Sequence, residues 1–225
     1  VLRLAATLEH EPRVAAVGPK IVDADGRLDF SQRRFPRVRS AFARALFVHH
    51  LFPRQSWSDD LVRDSSAYDV AHAAEWVSGA CILARRAVIE LVGMWDEQFF
   101  LYGEDIDLCK RIGDAGFEVR FEPGVQARHV GGASTPRTSL APLLVESRLR
   151  FAHKHEPPWA VGLVRVALAL ELVLRLLVGR GGGAARLGYL RAIPALFVPL
   201  REIRTTSQHE GGDAGTVSGA GAGSS

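Results

Sequence analysis

Gly93-Met94-Trp95-Asp96-Glu97-Gln98-Phe99-Phe100-Leu101-Tyr102-Gly103-Glu104-Asp105-Ile106-Asp107-Leu108-Cys109-Lys110-Arg111 sets the frame for the rest of this chain. Its second half reads as a helix over Asp105–Ala115. Acids stand at its start, Lys110 and Arg111 follow, and Gly116 sits at the exit, the order a helix dipole favours. Carboxylates at 104, 105 and 107 repel one another, which raises at least one pKa, and the helix N-terminus offsets part of that cost. A carboxylate held there beside aromatic residues suits a general base that takes a hydroxyl proton. Plain capping of a first helical turn gives the same pattern, so the residues alone leave both readings open.

The flanking sequence alternates between the two periodicities. Leu2, Leu4, Ala5 and Leu8 predict a short amphipathic helix ending near Pro12, and Val14–Gly18 a buried strand. Asp23-Ala24-Asp25-Gly26 is a turn, with Arg27–Phe30 as the returning strand. Residues 31–70 show little periodicity and are expected to form a surface excursion with one helix near Ala41–Leu46. A strand is expected over Trp76–Ala84 and a helix over Arg86–Val92, stopped by Gly93. Strands Phe117–Phe121 and Val125–Val130, joined by Pro123-Gly124, precede a helix over Ala141–His153. A mixed α/β core is the economical result.

Composition narrows the class. With 47% hydrophobic and 24% charged residues, the 225-residue chain is neither disordered throughout, nor collagenous, nor a disulfide-stapled mini-protein. Cys81 and Cys109 allow at most one bridge and have no metal-finger spacing, so reduced thiols are expected. The net charge of +3 is unevenly placed. Residues 160–204 hold seven arginines against Glu171 and Glu202, net +5, which leaves −2 for the remainder. A basic apolar segment behind a near-neutral domain favours a membrane surface over nucleic acid. Between Ala160 and Val178 the charges Arg165, Glu171 and Arg175 fall within an arc of about 120°, giving a helix with one polar stripe and a wide apolar face. With Ala184–Leu200 it is expected to form a hairpin lying in the membrane interface; spanning, or packing on a partner chain, are the other readings. The Gly/Ser/Ala-rich tail 205–225 is expected to be disordered.

Five motifs in register resemble the family 2 glycosyltransferases of GT-A (Rossmann-like) fold, in particular the bacterial rhamnosyltransferase-like branch. They are Val17-Gly18-Pro19-Lys20-Ile21, Trp76-Val77-Ser78-Gly79-Ala80, Trp95–Phe100, Tyr102–Leu108, and Arg128-His129-Val130-Gly131-Gly132. The resemblance covers residues 1–156 and implies the acceptor and catalytic-base part of such a domain. Residues 157–204 would then be the amphipathic hairpin.

The resemblance also implies roles. Asp105 would be the base that deprotonates the acceptor, with inversion at the sugar's anomeric carbon, and Glu104 would orient the acceptor or the loop. Trp76, Gly79 and Asp107 would fall at the acceptor and donor cleft, although Asp107 better suits a helix cap or an arginine partner, and Trp76 suits a core position equally. Arg148 and Lys154 would contact the diphosphate, whereas Arg150 and His155 read as a solvated basic face. His129 would ligate a divalent metal (Mg2+ or Mn2+); without the family pattern it reads as a core histidine.

Asp23-Ala24-Asp25 spells the family's metal signature but stands downstream of where that motif belongs, so it is taken as hairpin chemistry. Val1 opens inside a helix, the genuine motif is expected upstream of it, and this chain alone is expected to be incomplete and inactive. The donor implied is a nucleotide-sugar such as dTDP-rhamnose. The acceptor is a lipid-linked or cell-wall glycan, and the location is peripheral, on the cytoplasmic face of the membrane. The competing reading is a non-catalytic, membrane-associated interaction module derived from such an enzyme.

Overall fold

The computed structural model describes residues 1–99, 101–130, 140–178 and 182–197. Its core is a four-stranded sheet in the order β3-β6-β1-β5. At its centre β1 (Val14–Val22) pairs in parallel with β6 (Glu118–Arg128), from Val14 opposite Glu118 to Val22 opposite Arg128. Short β5 (Leu83–Ala84) and β3 (His72–Ala73) add antiparallel edges. Val14, Ala15, Ala16 and Val17 are buried, as a central strand covered on both faces requires. The helix α1 (Leu2–His10) closes one face through Leu4 and Leu8. Leu108, Cys109 and Ile112 of α5 (Glu104–Asp114) pack in the main core with Val119 and Phe121.

The mixed α/β architecture agrees with the sequence reading; the returning strand expected over Arg27–Phe30 is a single bridge from Leu28 to Val22, and three longer stretches also differ. The two strands expected around Pro123-Gly124 are one strand, β6. The ladder slips between Pro19/Glu122 and Lys20/Gln126, a bulge that absorbs Pro123, whose nitrogen has no hydrogen to give a ladder. The strand expected over Trp76–Ala84 is broken into β4 (Trp76–Val77) and β5. β4 pairs instead with β2 (Gln32–Arg33) in a separate two-stranded sheet. The interruption is a turn in which Ser78 accepts hydrogen bonds from Ala80 and Cys81.

Residues 31–70 are the third change, because they are woven into the core. Tyr68 is fully buried between Phe30 and Phe121, accepts from the Gln32 N–H at 2.9 Å and donates to the Val62 carbonyl at 3.0 Å. Burial pushes its phenol up to about 12. The helices α2 (Val38–Ala45) and α3 (Val48–Leu51) also lie in this stretch, and α4 (Arg86–Leu91) follows β5.

The C-terminal helices α6 (Ala141–His155), α7 (Pro158–Val178) and α8 (Gly182–Ala192) form a second core around Val145, Leu149, Leu168 and Leu172. In addition α7 packs along α2. The polar stripe faces inward, with Glu171 buried, while Trp159, Leu163, Val166, Val173 and Leu177 are exposed. Among the described residues no helix is long and apolar enough to cross a membrane. The expected tail 205–225 lies outside the described residues.

Candidate functional site

The first turn of α5 is built by the loop in front of it. Asp96 accepts the Gln98 N–H on its carboxylate at 2.9 Å and the Phe99 N–H on its carbonyl at 3.0 Å, folding the chain into a tight turn. Gly103, the N-cap, has φ +104°, where a side chain would overlap Ser147 Oγ and the Phe99 ring. Ser147 in turn donates to the Tyr102 carbonyl. The loop is thus fastened to α6 immediately before the acidic turn.

Asp105, like Glu104, is partly exposed in that turn, whereas Asp107 is buried. Its Oδ2 accepts the Gly79 N–H at 2.8 Å and its Oδ1 the Ile106 N–H at 2.8 Å, so both oxygens are fixed and each keeps a lone pair. A Cβ on Gly79 would stand 3.1 Å from Asp105 Cβ and 3.3 Å from Oδ2, so glycine permits this close approach. The turn after β4 and the start of α5, 26 residues apart, meet at this one carboxylate. Glu104 lies beside it. Partial burial, then the charge of Asp105, raises the Glu104 pKa, and its Oε2 is buried without a hydrogen-bond partner among the described residues. The raised acid expected from like-charge repulsion is therefore Glu104, with burial as the larger cause.

Trp76 packs with Phe35, Phe99, Ile106 and Phe151 next to this turn. The Arg33 guanidinium lies 5.5 Å from the centre of its indole, and its buried Nε1 has no hydrogen-bond partner among the described residues. Arg33 is held below its ordinary pKa by burial and by the charge of Arg44, with Asp105 opposing.

Two residues expected at ligands are committed elsewhere. Asp107, expected at the cleft, has a side chain 0% exposed. It is bound by Arg111 at 2.8 Å, Lys154 at 2.8 Å and His155 at 2.8 Å. Burial alone would raise its pKa, but the hydrogen bonds from His155 and Lys154 and the charge of Arg111 bring it below the usual range. Lys154, expected at a diphosphate, spends its ammonium on Asp107 and on Asp96 at 2.6 Å. This network ties α6 to α5 and to the preceding loop, and Arg150 adds a 3.0 Å bond to Gln98. Neither Arg150 nor His155 belongs to a solvated face: both side chains are largely covered.

Arg148 points to another place, a narrow groove between α2, α6 and α7 lined by Arg44, Asp60, Arg148, Phe151, Val164 and Glu171. Glu171 is its anionic centre. Arg175 binds it at 2.8 Å, Arg148 at 3.4 Å and Arg44 at 3.6 Å. Burial would raise its pKa, but the charges of Arg148, Arg44 and Arg175 depress it to about 2. Arg148 is itself pushed down to about 10 by burial and by Arg44, with Glu171 opposing. Arg33 and Arg44 were not singled out from the sequence; the signal was the run of arginines at 33, 34, 37, 39 and 44.

His129 departs from the core placement expected of it: it is exposed, at the end of β6, and its N–H donates to the Val22 carbonyl at 2.9 Å. Among the described residues no three His, Cys, Asp or Glu side chains converge on one point. A lone imidazole does not fit Mg2+ or Mn2+, which prefer several oxygen ligands. Asp23-Ala24-Asp25 is a hairpin turn: Asp23 Oδ1 accepts the Asp25 and Arg27 N–H groups, both at 2.9 Å, and Gly26 has φ +78°. Gly131 and Gly132 lie outside the described residues.

Residues 1–179 match the family described as "Glycosyl transferase family group 2". The chain is 32% identical over 167 residues to the N-acetylglucosaminyl-diphospho-decaprenol L-rhamnosyltransferase of Mycobacterium tuberculosis, covering 73% of this chain and 53% of that protein. It is also 32% identical over 104 residues to the rhamnosyltransferase WbbL of Escherichia coli K12, covering 45% of this chain and 35% of that protein. The chain thus spans about half the length of the mycobacterial relatives.

Proposed function

The chain belongs to glycosyl transferase family group 2, and from that membership we propose that it is the acceptor and catalytic-base side of an inverting sugar transferase. The observation that carries the reading is Asp105, a partly exposed carboxylate at a helix N-terminus, fixed by two backbone N–H groups with a lone pair left on each oxygen. In the proposed reaction Asp105 accepts the proton of an acceptor hydroxyl. The freed oxygen forms a bond to the anomeric carbon of a nucleotide-activated sugar, and the bond from that carbon to the nucleotide diphosphate breaks on the opposite face, inverting the centre. The hydrogen bonds from Gly79 and Ile106 hold the base in one rotamer, so little is spent on aligning it.

The mycobacterial relative's name supports a deoxyhexose donor of the rhamnose kind and a diphosphate-linked lipid acceptor. The outer face of α7 supports a peripheral position on the inner-leaflet membrane surface. Its exposed side chains, from Trp159 at 68% to Leu177 at 72%, are apolar, and α8 sets exposed Arg186 and Arg191 nearby, the pairing an anionic lipid surface attracts.

The test is Asp105→Asn in a polypeptide that includes nucleotide-binding strands ahead of residue 1. Asparagine keeps the size and the Gly79 contact but cannot take the proton. Sugar transfer is expected to fall by about 10²–10⁴-fold, the usual worth of a general base, with nucleotide-sugar binding nearly intact. Turnover like that of the unsubstituted protein would sink the assignment.

A further inference from the structure

The stretch that carries α2 and α3 is one-sided in charge. Residues 31–58 include six arginines and two histidines but no acid. Phe47, with φ +58°, separates α2 from the short α3 and turns the chain outward. Residues 51–57 are then all exposed, Leu51 at 76%, and Leu46 at the end of α2 is 52% exposed. An exposed apolar patch of this kind marks an interaction surface. The loop is closed from within and does not fold over to hide it. Ser58, fully buried, donates to the carbonyls of Phe52 and Gln55, the latter at 3.0 Å. The Phe52 and Trp57 rings pack with their centres 5.5 Å apart, so the apolar tip is preformed.

Its neighbours have the same character. Arg175 of α7 lies 5.5 Å from the centre of the Phe47 ring and 6.0 Å from that of Tyr189, so the root of the loop, α7 and α8 meet at one guanidinium. On α8, Arg186, Leu187, Leu190 and Arg191 are exposed. Residues 172–201 hold five arginines and again no acid. The charge of the two stretches calls for an anionic partner, and Leu51, Phe52 and Trp57 call for an apolar one. An anionic bilayer surface meets both needs, with phosphates level with the arginines and acyl chains beneath the leucine and the tryptophan. Nucleic acid supplies the charge but no medium for an exposed leucine.

We infer that the loop 46–57 is a membrane-inserting element for an anionic bilayer, seated beside α8. The inference rests on the peripheral membrane position proposed above and adds a contact to it, since that reading used only α7 and α8. Leu51, Phe52 and Trp57 enter the headgroup boundary, while exposed Arg54 in the loop and Arg39, two turns back along α2, stay at the phosphates. The loop also sets a distance to the chemistry. Phe35 and Arg37, directly ahead of α2, bind Glu75 beside Trp76, and the eight residues of α2 span roughly 12 Å. The bilayer is thus held about one short helix from Trp76, the gap a membrane-held acceptor has to bridge.

Binding is read by co-sedimentation of the 225-residue chain with phosphatidylcholine vesicles, with and without phosphatidylglycerol, and by quenching of tryptophan fluorescence by brominated lipid. The chain is expected to bind the vesicles that contain phosphatidylglycerol and to leave them as salt rises. Leu51→Glu, at an exposed position, is expected to weaken that binding by about tenfold or more with an unchanged thermal melt. Arg54→Gln is expected to weaken it by about threefold to tenfold, the effect of one arginine at an anionic surface. Trp57→Phe is expected to bind like the unsubstituted chain but to lose part of the quenching, since Trp57 is one of four tryptophans.

Three results would overturn the inference. One is vesicle binding by Leu51→Glu equal to that of the unsubstituted chain. Another is quenching left unchanged by Trp57→Phe. The third is a fall in oligomeric size in Leu51→Glu, measured by analytical ultracentrifugation, with vesicle binding kept, which would make the loop a contact between copies of the chain. Comparison with Leu163→Glu combined with Val173→Glu on the outer face of α7 separates the two surfaces. Loss of binding in that pair alone keeps α7 and removes the loop, whereas loss in Leu51→Glu alone keeps the loop and removes α7. Absence of binding to either kind of vesicle removes both.

Discussion

Replacing Glu171 by glutamine probes how α7 is held to the rest of the protein. The carboxyl is displaced from 4.5 to about 2 in the folded state, because three arginines outweigh the cost of burying it. At about 1.4 kcal/mol per pKa unit, that displacement corresponds to about 3 kcal/mol of stability at neutral pH. The side chain is only 10% exposed, so solvent screening takes away little of this. Glutamine keeps the shape but leaves Arg44, Arg148 and Arg175 facing one another without a counter-charge, a loss of the size expected when one partner of a buried pair is removed.

The direction with pH follows from linkage. The folded pKa lies below the unfolded one, so between the two the unfolded chain binds more protons and stability rises with pH. The contribution is fully present above about 4.5 and disappears as the pH falls towards about 2. Urea denaturation of both proteins from pH 7 to pH 2.5 checks this. At pH 7 the Glu171→Gln protein is expected to be less stable by about 3 kcal/mol, roughly 6–12 °C in melting temperature for a chain of this size. The gap should close across the acid window. Other carboxylates titrate there too, but they do so in both proteins, so the difference isolates Glu171. Equal stability at pH 7, or a gap that stays constant down to pH 2.5, would refute the account of a charged Glu171 holding α7 inward.

Gly79→Ala places a methyl against Asp105 and must shift the carboxylate by a few tenths of an ångström, so transfer is expected to fall about tenfold or more with little change in melting temperature. Steady-state rates beside a thermal melt check this split. Leu163→Glu combined with Val173→Glu puts charge on the outer face of α7, where both residues are exposed, so folding should be unaffected while co-sedimentation with anionic vesicles is lost. Vesicle binding equal to that of the unsubstituted chain would remove α7 as the membrane contact.

Much of the acidic turn was legible in the sequence because its causes are local. Acids before bases, a glycine at each end and aromatics in front specify the α5 helix and its acidic entry within about twenty residues, and the structure has α5 over Glu104–Asp114. The hairpin at Asp23–Gly26 was legible for the same reason, with one aspartate closing its own turn. By contrast, residues 31–70 showed no period, because their buried members are held by single long-range contacts such as Gln32 to Tyr68, which leave no repeating pattern.

The helices with their polar and apolar faces, the central strand and the acidic turn are readable from local sequence, since these depend on residues close along the chain. The sequence also carried the family resemblance, whose motifs lie within short segments. Long-range packing assigns each charge its partner. Lys154 was expected beside Arg148 at a diphosphate, yet packing α6 on α5 makes it a buried strut with Asp107. The stripe Arg165–Glu171–Arg175 follows from helical spacing, but it is α7 packed along α2 that turns Glu171 towards Arg44 and Arg148. Helical periodicity fixes the angle between a helix's two faces. Which face turns inward depends on what the rest of the chain brings alongside, and here that is Arg44 and Arg148 for Glu171 together with Val145 and Leu149 for Leu168 and Leu172.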